Sequence, residues 1–127
     1  MRQAIIIFTR VPVPGRTKTR LMPFLTGEEC AQLHKRFIFD TYEACRHAGA
    51  DLLLFYTPEE EGELLKQMLD GQLIFLPQSG SDLGERMENA FGIAFRLGYE
   101  KAVLIGTDIP QITTDILKKA LDDLEEY

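Results

Sequence analysis

The stretch AIIIF, Ala4–Phe8, is an uninterrupted run of apolar and mostly β-branched residues close to the amino terminus. Such a run is typical of a strand that is covered on both faces of a parallel sheet. Three similar runs follow, DLLLFYT at Asp51–Thr57, LIFLP at Leu73–Pro77 and AVLIG at Ala102–Gly106. Each interval has room for one helix, so the sequence predicts one α/β domain, Rossmann-like, with a mainly parallel sheet between two helical layers.

Helical periodicity fills the intervals between these runs. Thr26 and Glu29 have the spacing of an N-terminal capping box, and the helix that follows is expected to bury a stripe of apolar or small residues. The members of this stripe are Cys30, Leu33, Phe37, Thr41, Ala44 and Ala48. His34 is therefore predicted to lie at the surface and not to bind a metal. Pro58 is expected to be the first residue of the second helix.

The segment after the first strand concentrates positive charge in an acidic chain. The sequence has 14 Lys and Arg residues against 20 Asp and Glu residues, for a net charge of -6. Four cations lie close together there with no acid between them: Arg10, Arg16, Lys18 and Arg20. A basic segment in an acidic body favours an anion site. From this segment alone, a solvated turn with chance charges is an equally good interpretation.

The same segment contains residues that prevent a regular helix, namely Pro12, Pro14 and Gly15. They would also let backbone N–H groups approach an anion. Lys18 and Arg20 lie two residues apart, so that together with Arg16 they could point toward one phosphate chain.

A carboxylate follows the fourth strand in the sequence GTDIP, Gly106–Pro110. If the strand order is 3-2-1-4, the ligand crevice lies between the first and fourth strands, beside the cationic segment. Asp108 could there hold a hard divalent cation, Mg²⁺ or Mn²⁺, that bridges the protein to nucleotide phosphates. The alternative is that Asp108 only begins a turn.

The third loop, QSGSDLGERM at Gln78–Met87, is polar and precedes a helix. Asp82 and Glu85 have the spacing of a capping box, which accounts for both without a ligand. Gln78, Ser79 and Arg86 could meet a base or a ribose at the edge of the crevice, and a structural role is equally open for them.

Three motifs occur in order: PGRTKTRL after the first strand, GSDLGERM at the third helix and IGTDIP after the fourth strand. Together they resemble the nucleotide-diphospho-sugar transferase superfamily with the glycosyltransferase-A fold, most closely the radical-SAM/selenodomain-associated (arsenosugar-type) bacterial glycosyltransferases. The resemblance implies that Lys18 and Arg20 act in catalysis on the nucleotide phosphates. It also implies that Asp108 is catalytic and holds Mg²⁺ or Mn²⁺.

The resemblance further implies a set of nucleotide-binding residues, namely Arg10, Pro14, Gly15, Arg16, Lys18, Arg20, Gln78, Asp82, Gly84 and Arg86. The chain departs from the family at Gly106, where an Asp-x-Asp-like motif would have its first carboxylate, so metal binding without nucleotide should be weak. Family members also continue for several more strands. Residues 1–127 are therefore expected to be a single nucleotide-binding domain that forms the N-terminal part of a longer one, truncated after its fourth βα unit.

Other features of the sequence bear on location and partners. No apolar run reaches the roughly 18 residues of a membrane span, the amino terminus lacks a secretory apolar region, and the acidic balance argues against nucleic acid. Cys30 and Cys45 are expected on one helix, roughly 22 Å apart and too far for a disulfide. A cytoplasmic protein is predicted.

The uncharged edge strand Ala102–Ile105 predicts a homodimer through that strand.

Two functions from different classes follow. The first is a transferase domain that binds a nucleotide sugar or nucleoside triphosphate with a divalent cation, for glycosyl or nucleotidyl transfer. The alternative is a non-catalytic nucleotide-binding or structural α/β module. Release of diphosphate or pyrophosphate from such substrates distinguishes the two.

Overall fold

The computed structural model describes residues 2–12, 26–69, 73–106 and 114–124 of the chain. The strands are β1 (Gln3–Arg10), β2 (Asp51–Thr57), β3 (Leu73–Pro77) and β4 (Lys101–Gly106). The helices are α1 (Gly27–Arg46), α2 (Gly62–Met68), α3 (Leu83–Arg96) and α4 (Thr114–Asp123). The predicted alternation of strands and helices is confirmed. Within the described residues, none of the helices combines the length and the apolar character that a membrane crossing requires.

The strands form one parallel sheet in the order β3-β2-β1-β4, as predicted. β1 is central, and its last pairs are Arg10 with Thr57 on β2 and Phe8 with Gly106 on β4. β1 and β2 are buried along almost their whole length, which explains their continuous apolar sequences. This strand order places the carboxyl ends of β1 and β4 at the edge where ligands of such sheets bind.

The sheet separates two hydrophobic clusters, because alternate residues of a strand point to opposite faces. On one face, Ile5 and Ile7 pack with residues of three helices, namely Ile38 of α1, Leu65 of α2, and Leu117 and Leu121 of α4. On the other face, Ala4 and Ile6 pack with Ala90 and Ala94 of α3. The result is the predicted three-layer arrangement, with α1, α2 and α4 on one side of the sheet and α3 on the other.

The buried face of α1 differs from the predicted one by about one residue along the helix. The buried residues are Cys30, Ala31, His34, Ile38, Thr41 and Cys45, while Leu33, Phe37 and Ala44 are partly buried. The prediction that His34 lies at the surface is wrong, since the residue is only 4% exposed. Its spacing of four residues from both Cys30 and Ile38 places it on the core face, where its ring finds a backbone acceptor at the end of β1.

The first residues of α1 and α2 can be compared with those predicted from the sequence. The capping box of α1 is confirmed, with Glu29 N donating to Thr26 Oγ1 at 3.1 Å and Thr26 N donating to Glu29 Oε1 at 2.9 Å. Pro58 does not begin α2. It has an extended backbone, the glutamates Glu59–Glu61 form a separate 3-10 turn, and α2 begins only at Gly62.

β4 lies at an edge of the described sheet, with β1 as its neighbour. Its residues Ala102, Val103 and Leu104 are partly exposed. An uncharged edge of this kind offers unpaired backbone groups to another strand. The homodimer through this strand stays a prediction.

At the opposite end of the sheet, where the strands begin, polar side chains contact one another and a helix carbonyl. The hydroxyl of Tyr99 donates to Asp51 Oδ2 at 2.7 Å, and the Arg2 guanidinium lies 4.5 Å from the centre of the Tyr99 ring. The buried Lys101 donates from Nζ to the carbonyl oxygen of Leu121 at 2.8 Å, which satisfies one of the terminal carbonyls of α4.

The Tyr99–Asp51 contact predicts a pH-dependent contribution to stability. Burial first, and then the hydrogen bond and charge of Asp51, raise the pKa of the Tyr99 phenol. Because the donated bond needs the protonated phenol, its contribution is complete below the unfolded pKa of about 10 and is lost as pH rises through the raised folded pKa. We expect Tyr99→Phe to lower the free energy of unfolding by about 1 kcal/mol at pH 8.

Urea unfolding of both proteins at pH 8 and at pH 11 measures this difference, which should shrink at the higher pH. An Asp51→Ala background is the control, since the effect of Tyr99→Phe should then be small at both pH values. An equal effect of Tyr99→Phe with and without Asp51 would contradict the assignment.

Candidate nucleotide-binding site

The carboxyl ends of the parallel strands form the edge from which the predicted site residues depart. β1 and β4 are neighbours there, since Phe8 pairs with Gly106. The segment with most of the predicted cations follows β1, and Asp108 follows β4 by two residues. The predicted site residues Pro14, Gly15, Arg16, Lys18, Arg20 and Asp108 lie outside the described residues. The structure therefore establishes that the two segments leave adjacent strands.

Arg10 is the last residue of β1, and its side chain is exposed. Its carbonyl oxygen lies 2.7 Å from Nε2 of His34 and also accepts a hydrogen bond from Thr9 Oγ1 at 3.1 Å. A carbonyl oxygen can only accept, so the contact with His34 requires a proton on Nε2. The backbone of Arg10 is thus held while its guanidinium faces solvent at the edge of the sheet.

Gln78 extends the sheet beyond β3, since its backbone N–H donates to Tyr56 O at 2.8 Å. Its side chain reaches the neighbouring strands, where Nε2 donates to Thr9 O of β1 at 3.2 Å and to Phe55 O of β2 at 3.1 Å. Both amide protons are therefore used by backbone carbonyls. The side-chain oxygen Oε1 is the end that could accept from a ligand.

The turn before α3 is held by side-chain contacts. Asp82 is the N-cap, as predicted, and accepts from Glu85 N at 2.8 Å. The reciprocal bond of a capping box is missing, because the Glu85 carboxylate accepts instead from Ser81, at 3.3 Å from its N and 3.1 Å from its Oγ. The predicted capping box is therefore half formed. Ser81 offers a backbone and a hydroxyl donor together and draws Glu85 away from the N-cap backbone.

Arg86 and Gly84 lie in the first turn of α3. Arg86 Nε donates to Gly80 O at 3.2 Å, which leaves the two terminal nitrogens of the guanidinium for other acceptors. A Cβ at Gly84 would lie 3.5 Å from Asp82 Oδ1, an ordinary contact, so packing within the described residues does not demand glycine there. The structure brings Gln78, Asp82, Gly84 and Arg86 onto one short connection between β3 and α3.

A metal site was predicted at Asp108. Among residues 2–12, 26–69, 73–106 and 114–124, no three His, Cys, Asp or Glu side chains form a group that could hold a metal ion. Asp108 is outside these ranges, so binding of Mg²⁺ or Mn²⁺ there stays a prediction.

Comparisons with known proteins identify relatives. Residues 40–127 match the DUF2064 family, whose description is "uncharacterized protein conserved in bacteria". The fold is similar to the crystal structure of a "putative nucleotide-diphospho-sugar transferase" from Desulfovibrio desulfuricans G20, with a TM-score of 0.93 and 38% sequence identity. The match covers 100% of this chain and 56% of that chain, so this chain spans little more than half the length of the Desulfovibrio protein. No curated protein matches the sequence.

The turn before α3 allows a matched pair of substitutions. Gly80 has a φ of +141°, and a Cβ added to it would lie 2.8 Å from Arg86 N. We expect Gly80→Ala to lower the free energy of unfolding by roughly 1–3 kcal/mol, because the side chain meets both a strained backbone and fixed backbone atoms. Gly84→Ala is the control and should be neutral or stabilising by up to about 1 kcal/mol. Urea unfolding measures both variants, and equal losses would contradict the assignment.

Proposed function

The chain belongs to the DUF2064 family, and on that premise we propose that it is the nucleotide-binding part of a nucleotide-diphospho-sugar transferase. It would bind a nucleotide sugar or nucleoside triphosphate together with a divalent cation, for glycosyl or nucleotidyl transfer. The observation that carries the proposal is the neighbouring position of β1 and β4, since the cation-bearing segment follows one and Asp108 follows the other. The likeness to the Desulfovibrio protein supports the same reaction class.

The chemistry of the proposed site is electrostatic. Lys18 and Arg20 would bind the phosphate oxygens and stabilise the charge that develops on the leaving diphosphate, which is the main contribution of proteins to phosphoryl and glycosyl-phosphate chemistry. A bound Mg²⁺ or Mn²⁺ would neutralise part of the same charge. The acceptor would supply the nucleophile.

The donor set suits a cation that arrives with the nucleotide. Gly106 contributes no side chain at the end of β4, so Asp108 would be the protein carboxylate on the cation. Mg²⁺ commonly completes its octahedral shell with phosphate oxygens and water. Asp108 would therefore hold the cation weakly until phosphates are present.

The connection between β3 and α3 would contact the rest of the nucleotide. Its assigned residues are Gln78, Asp82, Gly84 and Arg86. In this proposal Gln78 Oε1 accepts from the base or ribose, and the terminal nitrogens of Arg86 donate to ribose or phosphate oxygens. Asp82 acts through the N-cap that fixes the turn. Arg10 and the backbone of Pro14, Gly15 and Arg16 would complete the phosphate side.

We also propose membership in the radical-SAM-associated group of transferases and a cytoplasmic location. Cys30 and Cys45 support the location, because both are free thiols buried on α1. Burial raises the pKa of the Cys45 thiol to about 12, so it stays protonated and unreactive. Free thiols of this kind are usual in reducing compartments.

A thermal-shift panel of nucleotides and sugar nucleotides, with and without Mn²⁺, tests the proposal as a whole. A ligand at about 100 times its dissociation constant adds roughly 2.7 kcal/mol of stability. Binding with release of diphosphate or pyrophosphate would support a transferase, whereas binding without release would favour a non-catalytic module. No stabilisation by any nucleotide would exclude the proposal.

Removal of the proposed phosphate cations should weaken binding without unfolding the protein. We expect Lys18→Ala combined with Arg20→Ala to weaken nucleotide binding by about 2–4 kcal/mol, because charge-assisted bonds to phosphate are lost. The control is Lys118→Ala combined with Lys119→Ala, which removes the same charge from exposed positions on α4. Calorimetric titration compares the two variants. Similar affinities in both would mean that net charge, and not these two residues, governs binding.

Asp108→Asn should uncouple the cation from the nucleotide. We expect Mn²⁺ to strengthen nucleotide binding to the unaltered protein and to have little effect on the variant, since a neutral amide is a poorer ligand than a carboxylate. Nucleotide binding without metal should persist through the cations. Asp115→Asn, at an exposed position on α4, is the control. Micromolar binding of Mn²⁺ to the protein without nucleotide would contradict the prediction.

A further inference from the structure

Three separate parts of the fold bind the backbone at the end of β1. Val11 N donates to Thr57 O of β2 at 2.9 Å. His34 of α1 donates to Arg10 O, and Gln78 donates to Thr9 O from the connection after β3. The last residues of β1 are thus bonded by β2, by α1 and by the connection after β3, immediately before the segment that carries the cations.

The contact with His34 lies beyond the last β1–β4 pair in the part of the chain that the structure describes. Successive carbonyls of a strand point to opposite sides, so the bonds of Thr9 and Val11 toward β2 direct the carbonyl of Arg10 toward β4. The β1–β4 pairing described by the structure ends at Phe8 and Gly106, two residues earlier. The His34 ring therefore supplies a donor to that carbonyl beyond the described β1–β4 pairs.

Gln78 has a corresponding role on the other side of β1. Its two amide protons join Thr9 O of β1 to Phe55 O of β2, at the point where both strands approach their carboxyl ends. Thr9 and Phe55 lie 69 and 23 residues away from Gln78 in sequence. The two hydrogen bonds therefore also fix the connection after β3 relative to β1.

We propose that His34 and Gln78 are positioning residues for phosphate binding, because they hold residues 9–11, and with them Arg10 and the point at which the chain leaves β1. The inference rests on the proposed function, because it assigns these residues to the same site. A preorganised segment loses less entropy on binding an anion, so the contribution appears as affinity.

The contact with Arg10 O assigns a positioning role to Nε2 of His34. Nε2 donates its proton to a carbonyl oxygen, and a nitrogen that carries a proton cannot coordinate a metal. Since Thr9 Oγ1 donates to the same carbonyl, the pair forms a small hydrogen-bonded group about the backbone of Arg10.

The test compares His34→Leu, His34→Gln and Gln78→Met with the unaltered protein. Leucine removes the donor at similar size, whereas glutamine places an amide donor near the former Nε2 position. Ile38→Ala is the control, since Ile38 is buried one turn further along the same face of α1 and its loss affects stability without touching Arg10. Hydrogen exchange of the Val11 amide reports on the end of β1, and the Ile6 amide reports on the whole sheet.

We expect His34→Leu and Gln78→Met to speed exchange at Val11 by about tenfold relative to Ile6, because the opening of the strand end becomes easier. Both should weaken nucleotide binding by about tenfold, and His34→Gln should recover most of both effects. Ile38→Ala should change Val11 and Ile6 together and leave affinity nearly unchanged.

The outcomes separate the inference from the proposed function. Unchanged exchange at Val11 in both His34→Leu and Gln78→Met would overturn the inference even if nucleotide binds. Faster exchange with unchanged affinity would overturn the positioning role. If the unaltered protein binds no nucleotide, the proposed function fails, the positioning of phosphate-binding cations fails with it, and the exchange data still decide whether the two residues hold the strand end.

Discussion

The pairing of β1 on both of its edges is the constraint on which the rest of the structure depends. Ala4, Ile5, Ile6 and Ile7 are at most 1% exposed, so the middle of this strand is closed to water on both faces. Its backbone groups must then bond to neighbouring strands, which are β2 and β4. Both faces of β1 can be buried only if helices cover both sides of the sheet. The buried central strand therefore accounts for the two helical layers.

Much of this fold could be predicted because buried parallel strands leave a direct trace in sequence. The four apolar runs coincide with the four strands, and the short connections leave few ways to order them. The face of α1 was harder to predict. The pattern of apolar residues predicted for the buried face of α1 does not include His34. A histidine can nevertheless occupy a core position when its ring donates to a backbone carbonyl. No local pattern shows which carbonyl at a strand end a distant side chain will bind.

The site could be predicted as a location more readily than as a set of contacts. Strand order alone brings the segments after β1 and β4 to one edge. The contacts of Gln78 depend on tertiary register, which the loop sequence does not contain. Those of Glu85 depend on whether Ser81 or the N-cap backbone donates to its carboxylate, and the spacing of the residues does not decide between the two. Gln78 is a predicted ligand residue, and the amide protons of its side chain also bond two strands. A polar side chain in a loop can use the same atoms to hold the fold or to bind a ligand. The residue type alone therefore does not show which of these two roles it has.

The cationic side chains have different surroundings at the two ends of the sheet, and this difference bears on function. At the amino end, Arg2 lies over Tyr99, Tyr99 binds Asp51, and Lys101 binds a helix carbonyl, so the cations have fixed internal partners. At the carboxyl end, Arg10 projects an exposed guanidinium from a backbone that is itself held by hydrogen bonds. The exposed cation at this fixed edge of an acidic protein creates a local positive potential that opposes the field of the whole chain. An anion bound there would be attracted by the edge and repelled by the rest of the surface, which confines binding to the end of the sheet where the cationic segment begins.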